Sequence, residues 1–503
     1  MKMILSLPID LLILFAILAP IVYLLGVKMR TRKIVDIWAV VGFLVSAIAL
    51  YLLYNEVAAE GIITHYWAGQ QLRGIAILQI DMLSIFMAAI FLLIGLLTAI
   101  YSTKYMERDT GHAEYYTLLL LMVAGMIGVA FAGDFFTFFL FWEIMCITSY
   151  VLVAFRKEKW ESIEAGFKYL IISSAGSATV LFAMSILYGM AGTLNFAYLS
   201  STISNTPTPW SILALAMIVL GLGVKAAIVP FHTWLPDAHP AAPSSISAML
   251  SGVVIKTGVY GLIRIMILIF APAEYQWQLL LAIFAIITMT VGNVMALLQN
   301  DIKRLLAFSS IGHIGYIIFG LSIASVYGLT GGIFHIMNHA IGKALLFLCA
   351  GAFLFAVESR NLDDLAGIGK KMKITGLTFI IGSLALAGIP PLNAFQSEFM
   401  IILAGIQQGV TSGIWYGLSA IMVLNILFSV GYYLRIIQII MLREPTDLAK
   451  KAKEAPAPML FSMIILAILC IVIGIYPGPF ADFANQAAEA ALNLDNYVRA
   501  IVG

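Results

Sequence analysis

Charged residues are scarce in this chain of 503 residues. Asp, Glu, Lys and Arg make up only 11% of the sequence, whereas hydrophobic residues make up 62%. A soluble protein of ordinary composition carries about 25% charged residues, because water must wet its surface. The scarcity of charge excludes an ordinary soluble protein and indicates a surface that faces lipid.

The sequence also lacks the motifs of a catalytic or redox centre. Its three cysteines, Cys146, Cys349 and Cys470, lie in separate apolar runs, which excludes a CxxC pair, a zinc site or an iron–sulfur ligand set. It carries no phosphate loop, nucleophile elbow or dinucleotide fingerprint. The net charge is +2 without a long basic stripe, so we expect no nucleic-acid partner. We expect no cofactor or metal, and any enzymatic activity would belong to a larger assembly.

Long apolar runs recur along the chain between short polar breaks. Each run can cross a hydrocarbon core of about 30 Å, and helices satisfy their own backbone groups in lipid. We therefore predict an all-α, polytopic membrane protein with about fourteen transmembrane helices, a retained first helix and an amphipathic tail at 479–503. The predicted spans are 8–27, 34–54, 80–103, 114–132, 135–155, 162–189, 210–229, 242–270, 277–299, 303–325, 327–357, 374–405, 412–441 and 457–476.

Basic residues are distributed unevenly between the two ends of these spans. Most of the 28 lysines and arginines lie in connections that follow odd-numbered spans, whereas the opposite side holds only Lys2, Arg73 and Arg499. Because basic loops remain in the cytoplasm, the pattern predicts a protein of the plasma membrane with both termini on the extracytoplasmic side.

Proline interrupts the seventh and the twelfth spans, at Pro230 and at Pro390 and Pro391. Proline removes a helical hydrogen bond and clashes with the preceding turn. Equivalent elements five spans apart cross the membrane in opposite directions, as in the inverted repeats of transporters. We predict three N-terminal helices (1–110), a first five-helix repeat (111–270), an inverted second repeat (271–445), and a last helix with the tail (446–503).

Ionisable residues persist inside several predicted spans. A charge at the bilayer centre costs roughly 3 kcal/mol on insertion scales, so such residues are candidates for function. His335, His339 and Lys343 have i, i+4, i+8 spacing, which places them on one face of a helix. The candidates are Glu143, Lys225, Lys256, His313, His335, His339, Lys343 and Glu398, with Lys168 and His232 as secondary candidates.

The chemistry that suits these residues is proton relay. A desolvated lysine holds its proton less firmly and a nearby carboxylate reverses this effect, so Lys225 is expected to toggle beside Glu143. Histidine titrates near neutral pH and can connect lysines through water. Each residue taken alone also fits a structural role, as a fixed ion pair, a packing side chain or a lysine that extends to the interface. Arg264 and Arg435 are expected near helix ends or as anchors, and His65, His112 and His239 in loops.

Four segments of the sequence resemble the signatures of one family. They are GLGVKAAIVPFHTWLPDAHPAAPSSISAMLSGVVIKTGVYGLIR (221–264), NDIKRLLAFSSIGHIGY (300–316), FHIMNHAIGKALLF (334–347) and FWE at Glu143. Through them nearly the whole chain resembles the antiporter-like subunits, and those of Mrp-type cation/proton antiporters in particular. The family also includes the proton-pumping membrane subunits of complex I and the antiporter-like subunits of membrane-bound hydrogenases.

The resemblance implies fourteen helices with two inverted five-helix units. Relatives carry Lys or Glu at the position of Glu398, and Gly is common at that of Ala394, which leaves the exit chemistry and the transported ion open. The path that it implies runs from Glu143 and Lys225, the charged pair of the first half-channel, through the central Lys256 and then through His313, His335, His339 and Lys343 to Glu398.

The leading hypothesis is an ion-translocating subunit of a multisubunit Mrp-type or membrane-bound hydrogenase-like complex. It moves protons, with sodium/proton antiport left open. The alternative is a proton-pumping subunit, M- or N-like, of a NADH–quinone or related oxidoreductase. Hypotheses from other classes are a carrier for an organic solute, which needs a midplane pocket, and a membrane scaffold that transports nothing. The expected partners are lipid, other membrane subunits and, in a hydrogenase-like complex, nickel–iron or iron–sulfur redox subunits.

Overall fold

The computed structural model describes residues 7–29, 32–66, 77–204 and 207–502. Within these ranges the chain is almost entirely helical, and its strands form one antiparallel hairpin. Before residue 110 the elements are α1 (Leu7–Met29), α2 (Arg32–Glu60), β1 (Ile63–Tyr66), β2 (Ile77–Ile80), α3 (Met82–Tyr105) and a 3-10 turn (Met106–Arg108).

The middle of the chain carries the longest and the most deeply buried helices. Its first part contains α4 (His112–Phe131), α5 (Phe135–Val153), α6 (Trp160–Ala191), α7 (Phe196–Ile203), α8 (Pro209–Ala226), α9 (Leu235–Ala241), α10 (Ser244–Met249), a π-helical turn (Leu250–Val254) and α11 (Ile255–Ile269). Its second part contains α12 (Pro272–Tyr275), α13 (Gln278–Leu297), α14 (Ile302–Ser322), α15 (Val326–Val357), a 3-10 turn (Ile368–Lys370), α16 (Lys373–Leu386), α17 (Asn393–Thr411), α18 (Ile414–Ile437) and a second π-helical turn (Gln438–Leu442).

The remaining helices are α19 (Asp447–Lys450), α20 (Ala457–Ile475), α21 (Gly478–Leu492) and α22 (Leu494–Val502). The predicted tail is therefore two helices, because the chain turns at Asn493. The hairpin was not predicted, and it places His65 in β1 rather than in a loop. His112 is likewise the first residue of α4. Lys2 and Arg73, on which part of the orientation prediction rests, lie outside the described residues.

The polytopic, all-α class is confirmed. Thirteen helical segments of the described chain are long and apolar enough to cross a membrane. The predicted twelfth span consists of α16 and α17, which are separate helices. The segments Ser244–Ile269 and Ile302–Ser322 each contain an 18-residue stretch in which every residue is buried. In α2, by contrast, only 33% of the residues in such a stretch are buried. The segments α10–α11 and α14 therefore lie at the centre of the bundle.

Both proline-containing interruptions are real breaks in helices. The first helix, α8, ends at Ala226 and is followed by Ala227 in the left-handed region, with φ of 57°. At the second break Gly388 has φ of 68°, a conformation that glycine adopts without a steric penalty. The carbonyl of Val224 at the first break accepts from the indole Nε1 of Trp234 at 2.8 Å and from the amide of Ala227 at 3.2 Å, so it remains paired.

A repeated backbone feature occurs at the starts of α5 and α14. Asp134 caps α5 by accepting from the amide of Thr137, and it forms an isolated antiparallel bridge with Asn195, which follows α6. Asp301 caps α14 and forms the same kind of bridge with Asn361, which follows α15. Two helix starts five predicted spans apart are thus tied in the same way to the ends of the helices that follow them.

Candidate functional site

Lys225 lies at the end of α8, immediately before the first break, and is 1% exposed. Its Nζ donates to the hydroxyl of Tyr169 at 2.6 Å and to Oγ of Ser149 at 3.4 Å. The ring of Tyr169 stacks on Trp234 from the break, with a centroid distance of 4.0 Å. The ammonium group is therefore held by hydroxyls and aromatic faces, which favour a cation.

Glu143 on α5 does not form an ion pair or a hydrogen bond with Lys225 among the described contacts. Its Oε1 is buried and has no hydrogen-bond partner among the described residues. The residue lies on the stripe of α5 that carries Leu140 and Ile147, which are 51% and 55% exposed. The expected charged pair is thus two separate groups, because Tyr169 takes the place next to the lysine.

Lys256 is fully buried on α11, directly after the π-helical turn. Its Nζ donates to the backbone carbonyl of Ser251, which lies in that turn. A π-helical turn shifts the normal helical hydrogen-bond pattern and occurs often at functional sites. The Oγ atoms of Ser251 and Ser310 are 2.6 Å apart, so the turn carrying Lys256 is connected to α14.

Lys343 is fully buried on α15 and has three oxygen partners. Its Nζ donates to Oγ of Ser309 at 2.5 Å, to the hydroxyl of Tyr433 at 3.1 Å and to the carbonyl of Leu306 at 3.2 Å. None of these partners is a carboxylate. A buried ammonium without a counter-charge is costly, so this arrangement has the features of a site at which a proton is gained and lost.

The three intramembrane histidines and Glu398 form one buried cluster between α14, α15 and α17. Nδ1 of His313 lies 3.1 Å from Nε2 of His335 and 3.9 Å from Oε1 of Glu398. Nδ1 of His335 lies 2.9 Å from Oγ of Ser397. The ring of His339 is 4.8 Å from that of His313, and neither of its nitrogens has a partner among the described residues. The structure thus brings together residues that the sequence places up to 85 positions apart.

The secondary candidates lie away from these buried groups. Lys168 is about half exposed and pairs with Glu164 and Asp237 at 2.8 and 3.3 Å. His232 lies partly buried in the first break. Arg435 donates to the backbone carbonyls of Leu297 and Gln299. It lies near the end of a helix, as expected.

The burial of His239 and of Lys303 was not predicted from the sequence. His239 was expected in a loop, but it is fully buried in α9 and stacks on Phe347 with a centroid distance of 4.5 Å. Lys303, the first residue of the predicted span 303–325, was not among the candidates, but it is 1% exposed and donates to the carbonyl of Ala242 at 2.5 Å. The signal for His239 was available, because it lies inside the long signature that also contains Lys225 and Lys256.

A cleft of about 630 Å³ opens next to these two residues. Lys303, Pro240 and Ala242 are part of its lining. Its wall also contains the bidentate pair of Arg156 and Asp109, at 2.7 and 2.9 Å. The cleft lies at the start of α14 and the end of α15, on the side of the protein that was predicted to face the cytoplasm.

Comparison with known proteins places these features in a family. Residues 132–429 match the family described as NADH:quinone oxidoreductase/Mrp antiporter, transmembrane, and residues 76–116 match that described as NADH-ubiquinone oxidoreductase (complex I), chain 5 N-terminus. The chain belongs to this family. The resemblance inferred from the four sequence segments is confirmed, and the matched range contains every primary candidate residue.

Individual relatives cover almost the whole chain. F(420)H(2) dehydrogenase subunit N of Methanosarcina mazei is 32% identical over 91% of this chain and 93% of the relative. A chain of the membrane-bound sulfane sulfur reductase, an archaeal respiratory membrane complex, is 29% identical with a TM-score of 0.90, over 99% and 100% of the two chains. A chain of the Mrp complex from Dietzia sp. shares the fold, with a TM-score of 0.91 and 23% identity over 99% and 100%.

The chain is therefore an antiporter-like membrane subunit of the kind found in complex I-like, Mrp and hydrogenase-like complexes. The leading and the alternative hypotheses from the sequence both fit this family, because it includes both kinds of complex.

Proposed function

We propose that this subunit conducts protons through the membrane along its buried lysines, histidines and Glu398. The observation that carries the proposal is the chemistry around Lys225 and Lys343. Each ammonium group is buried and is held by hydroxyl groups instead of a carboxylate. A lysine held in this way can give up its proton without leaving a buried carboxylate unpaired, which a fixed ion pair cannot do.

Close packing between helices supports a continuous path from Lys225 to the centre. A β-carbon at Gly258 on α11 would lie 2.7 Å from the backbone nitrogen of Ala226 on α8. These two residues are neighbours of Lys256 and Lys225 in sequence, so the helices that carry the two lysines touch there. From Lys256 the serine contact to α14 leads toward Lys343 and the histidine cluster.

The ligand chemistry supports protons rather than sodium as the ion that moves along this path. Hard cations are bound by several oxygen atoms from carboxylates, carbonyls or water. The buried groups of the path are mainly ammonium and imidazole nitrogens, which exchange protons and do not favour Na⁺. We propose proton conduction by this chain, and any sodium transport by the complex would use other groups.

We also propose that α4–α11 and α13–α18 form the two inverted repeats. The paired bridges Asp134–Asn195 and Asp301–Asn361 support this division, because each joins the start of a repeat's second span to the end of its third. The breaks at 227–234 and 387–392 then occupy equivalent positions in the fourth spans.

The surroundings of Glu143 support a membrane partner on the face of α5. Oε1 of Glu143 has no hydrogen-bond partner among the described residues and lies beside an exposed apolar stripe, which is costly, and a neighbouring subunit that supplies a polar or cationic group would remove that cost. We propose that this face packs against another membrane subunit of the complex, in a plasma membrane, with both termini on the extracytoplasmic side. Redox subunits would be present if the complex is of the oxidoreductase type.

The experiment that tests the proposal compares two lysines in the assembled complex. In proteoliposomes, Lys225→Ala should abolish coupled proton transport while native gels show normal assembly. Lys168→Ala is the matched control, since it removes a half-exposed lysine with surface partners and should change transport little. Wild-type transport by Lys225→Ala would contradict the relay and favour a scaffold. Replacing Na⁺ by choline should leave the proton signal of this subunit unchanged.

A further inference from the structure

The buried cluster on α14, α15 and α17 has the composition and spacing of a transition-metal site. One ligand atom each from His313, His335 and Glu398 lies within 4.8 Å of the other two. All three residues are buried. No metal motif was evident in the sequence, because the three ligands come from distant segments of the chain that only the fold brings together.

We propose that His313, His335 and Glu398 bind a divalent transition metal, with Zn²⁺ the best match, and that the bound metal arrests proton movement. The binding site itself is independent of the proposed function, whereas the arrest rests on it. A metal ion that takes the imidazole nitrogens and the carboxylate oxygen occupies the atoms that would carry the proton.

The distances are close to those that Zn²⁺ requires. Zinc binds imidazole nitrogen at about 2.0–2.1 Å and carboxylate oxygen at about 2.0–2.2 Å, so two ligand atoms of a tetrahedral site are about 3.4 Å apart. In the structure Nδ1 of His313 lies 3.1 Å from Nε2 of His335 and 3.9 Å from Oε1 of Glu398, and the three ligand atoms all lie within 4.8 Å of one another. Shifts of less than about 1 Å would complete the three-ligand set.

Unused ligand capacity points to the same site. The side chain of Glu398 is only 3% exposed, and its Oε1 has no hydrogen-bond partner among the described residues. His339, whose ring lies 4.8 Å from that of His313, has two unpartnered nitrogens in the described structure and could supply a fourth ligand. Three nitrogens and one oxygen match zinc or copper and disfavour Mg²⁺ and Ca²⁺, which prefer oxygen.

The orientation of His335 is fixed from outside the cluster. Its Nδ1 is 2.9 Å from Oγ of Ser397, so that Nε2 faces His313. Asn338 donates to the same Oγ at 3.0 Å. Metal-binding histidines commonly hold their second nitrogen in this way, and loss of the outer partner typically weakens metal binding about 10–100-fold.

The second break adjoins the cluster. Gly388 is partly exposed, and a β-carbon at this position would overlap the carboxylate of Glu398. The adjacent Pro390 and Pro391 are exposed. The backbone of the break therefore lies directly against Glu398, one of the three ligands.

Zinc binding by the purified, assembled complex tests the site without reference to transport. Isothermal titration with ZnCl₂ and zinc K-edge absorption should show a bound ion with two or three imidazoles and one carboxylate. His335→Gln should remove this ion, and Glu398→Gln and Ser397→Ala should each weaken its binding at least about 10-fold. The control is His112→Gln, which removes a second His–carboxylate contact of the described chain, His112 with Asp36 at 2.7 Å, and should leave the affinity unchanged.

The outcomes separate the metal site from the proposed function. Equal zinc affinity of wild type and His335→Gln, in folded complexes of normal size and melting temperature, would overturn the site. If the site binds zinc while Lys225→Ala transports protons normally, the site stands and the relay fails. If both hold, micromolar ZnCl₂ should inhibit proton transport reversibly with EDTA, and transport that persists with the site filled would overturn the arrest.

Discussion

Two kinds of buried cation occur in this molecule, and their surroundings differ. Arg264 on α11 is 3% exposed and forms a bidentate pair with Asp81, at 2.6 and 2.7 Å. Lys343 on α15 is fully buried and contacts two hydroxyls and a carbonyl. The first charge is permanently compensated, and the second is not. Lys343, whose counter-charge is missing, is the kind of buried cation that we propose to transfer protons, whereas Arg264 has a structural role in this proposal.

Of these two buried cations, Lys343 should have the larger effect on proton transport when it is replaced. Lys343→Met keeps the length of the side chain and removes the charge. Ser309 and Tyr433 remain bonded to each other, since their hydroxyls are 2.6 Å apart, so no buried polar group is left without a partner. We expect proton transport to fall about 100-fold, the contribution typical of a proton-transfer group. The free energy of unfolding should stay within about 1 kcal/mol of the wild-type value or rise.

Proteoliposome transport and steric-trap unfolding of the same sample check this prediction together. Loss of the folded complex along with transport would mean that Lys343 is structural, like Arg264, and the comparison would fail.

The compensated pair should behave in the opposite manner. Asp81→Asn leaves Arg264 buried without its counter-charge, so we expect the free energy of unfolding to fall by about 3–5 kcal/mol. Replacing both residues by leucine should recover most of that loss, because no buried charge remains. Thermal unfolding of the single and double variants measures the difference. A single variant as stable as the double one would show that the pair is not needed to hold β2, α3 and α11 together.

A smaller effect on proton transport is expected when the tyrosine partner of Lys225 or of Lys343 loses its hydroxyl. Lys225 has one short bond, to Tyr169, and a long one to Ser149, whereas Lys343 keeps two partners when Tyr433 is lost. A single hydrogen bond contributes about 0.5–1.5 kcal/mol, and more when it involves a charge. We therefore expect Tyr169→Phe to reduce proton transport several-fold more than Tyr433→Phe. Equal rates for the two variants would refute this difference.

The overall architecture was predictable because lipid permits few solutions. Hydropathy and length fix the helices, and Pro230, Pro390 and Pro391 fix the breaks, so both features follow from local sequence. The i, i+4, i+8 face of His335, His339 and Lys343 also follows from helix geometry, and the structure buries all three. The β1–β2 hairpin was missed because both strands are only four residues long.

The contacts of the site were less predictable, because they depend on how helices pack. Lys225 was expected to pair with Glu143, as the resemblance to the family implies. In the structure its ammonium group donates instead to the hydroxyl of Tyr169, which lies on a third helix. His239 was assigned to a loop, yet α9 carries it into the core. Spacing along one helix could be read from the sequence, whereas contacts between helices could not.

We propose that the buried groups form one connected path, and Lys256 is the residue at which this path can be tested. This residue is buried on α11 between the lysine of the first half and the cluster of the second. Electrometric recording of proton transfer by the reconstituted complex should detect no coupled transfer in Lys256→Met, although assembly is normal. Wild-type proton transfer in this variant would contradict a single path through the centre of the subunit.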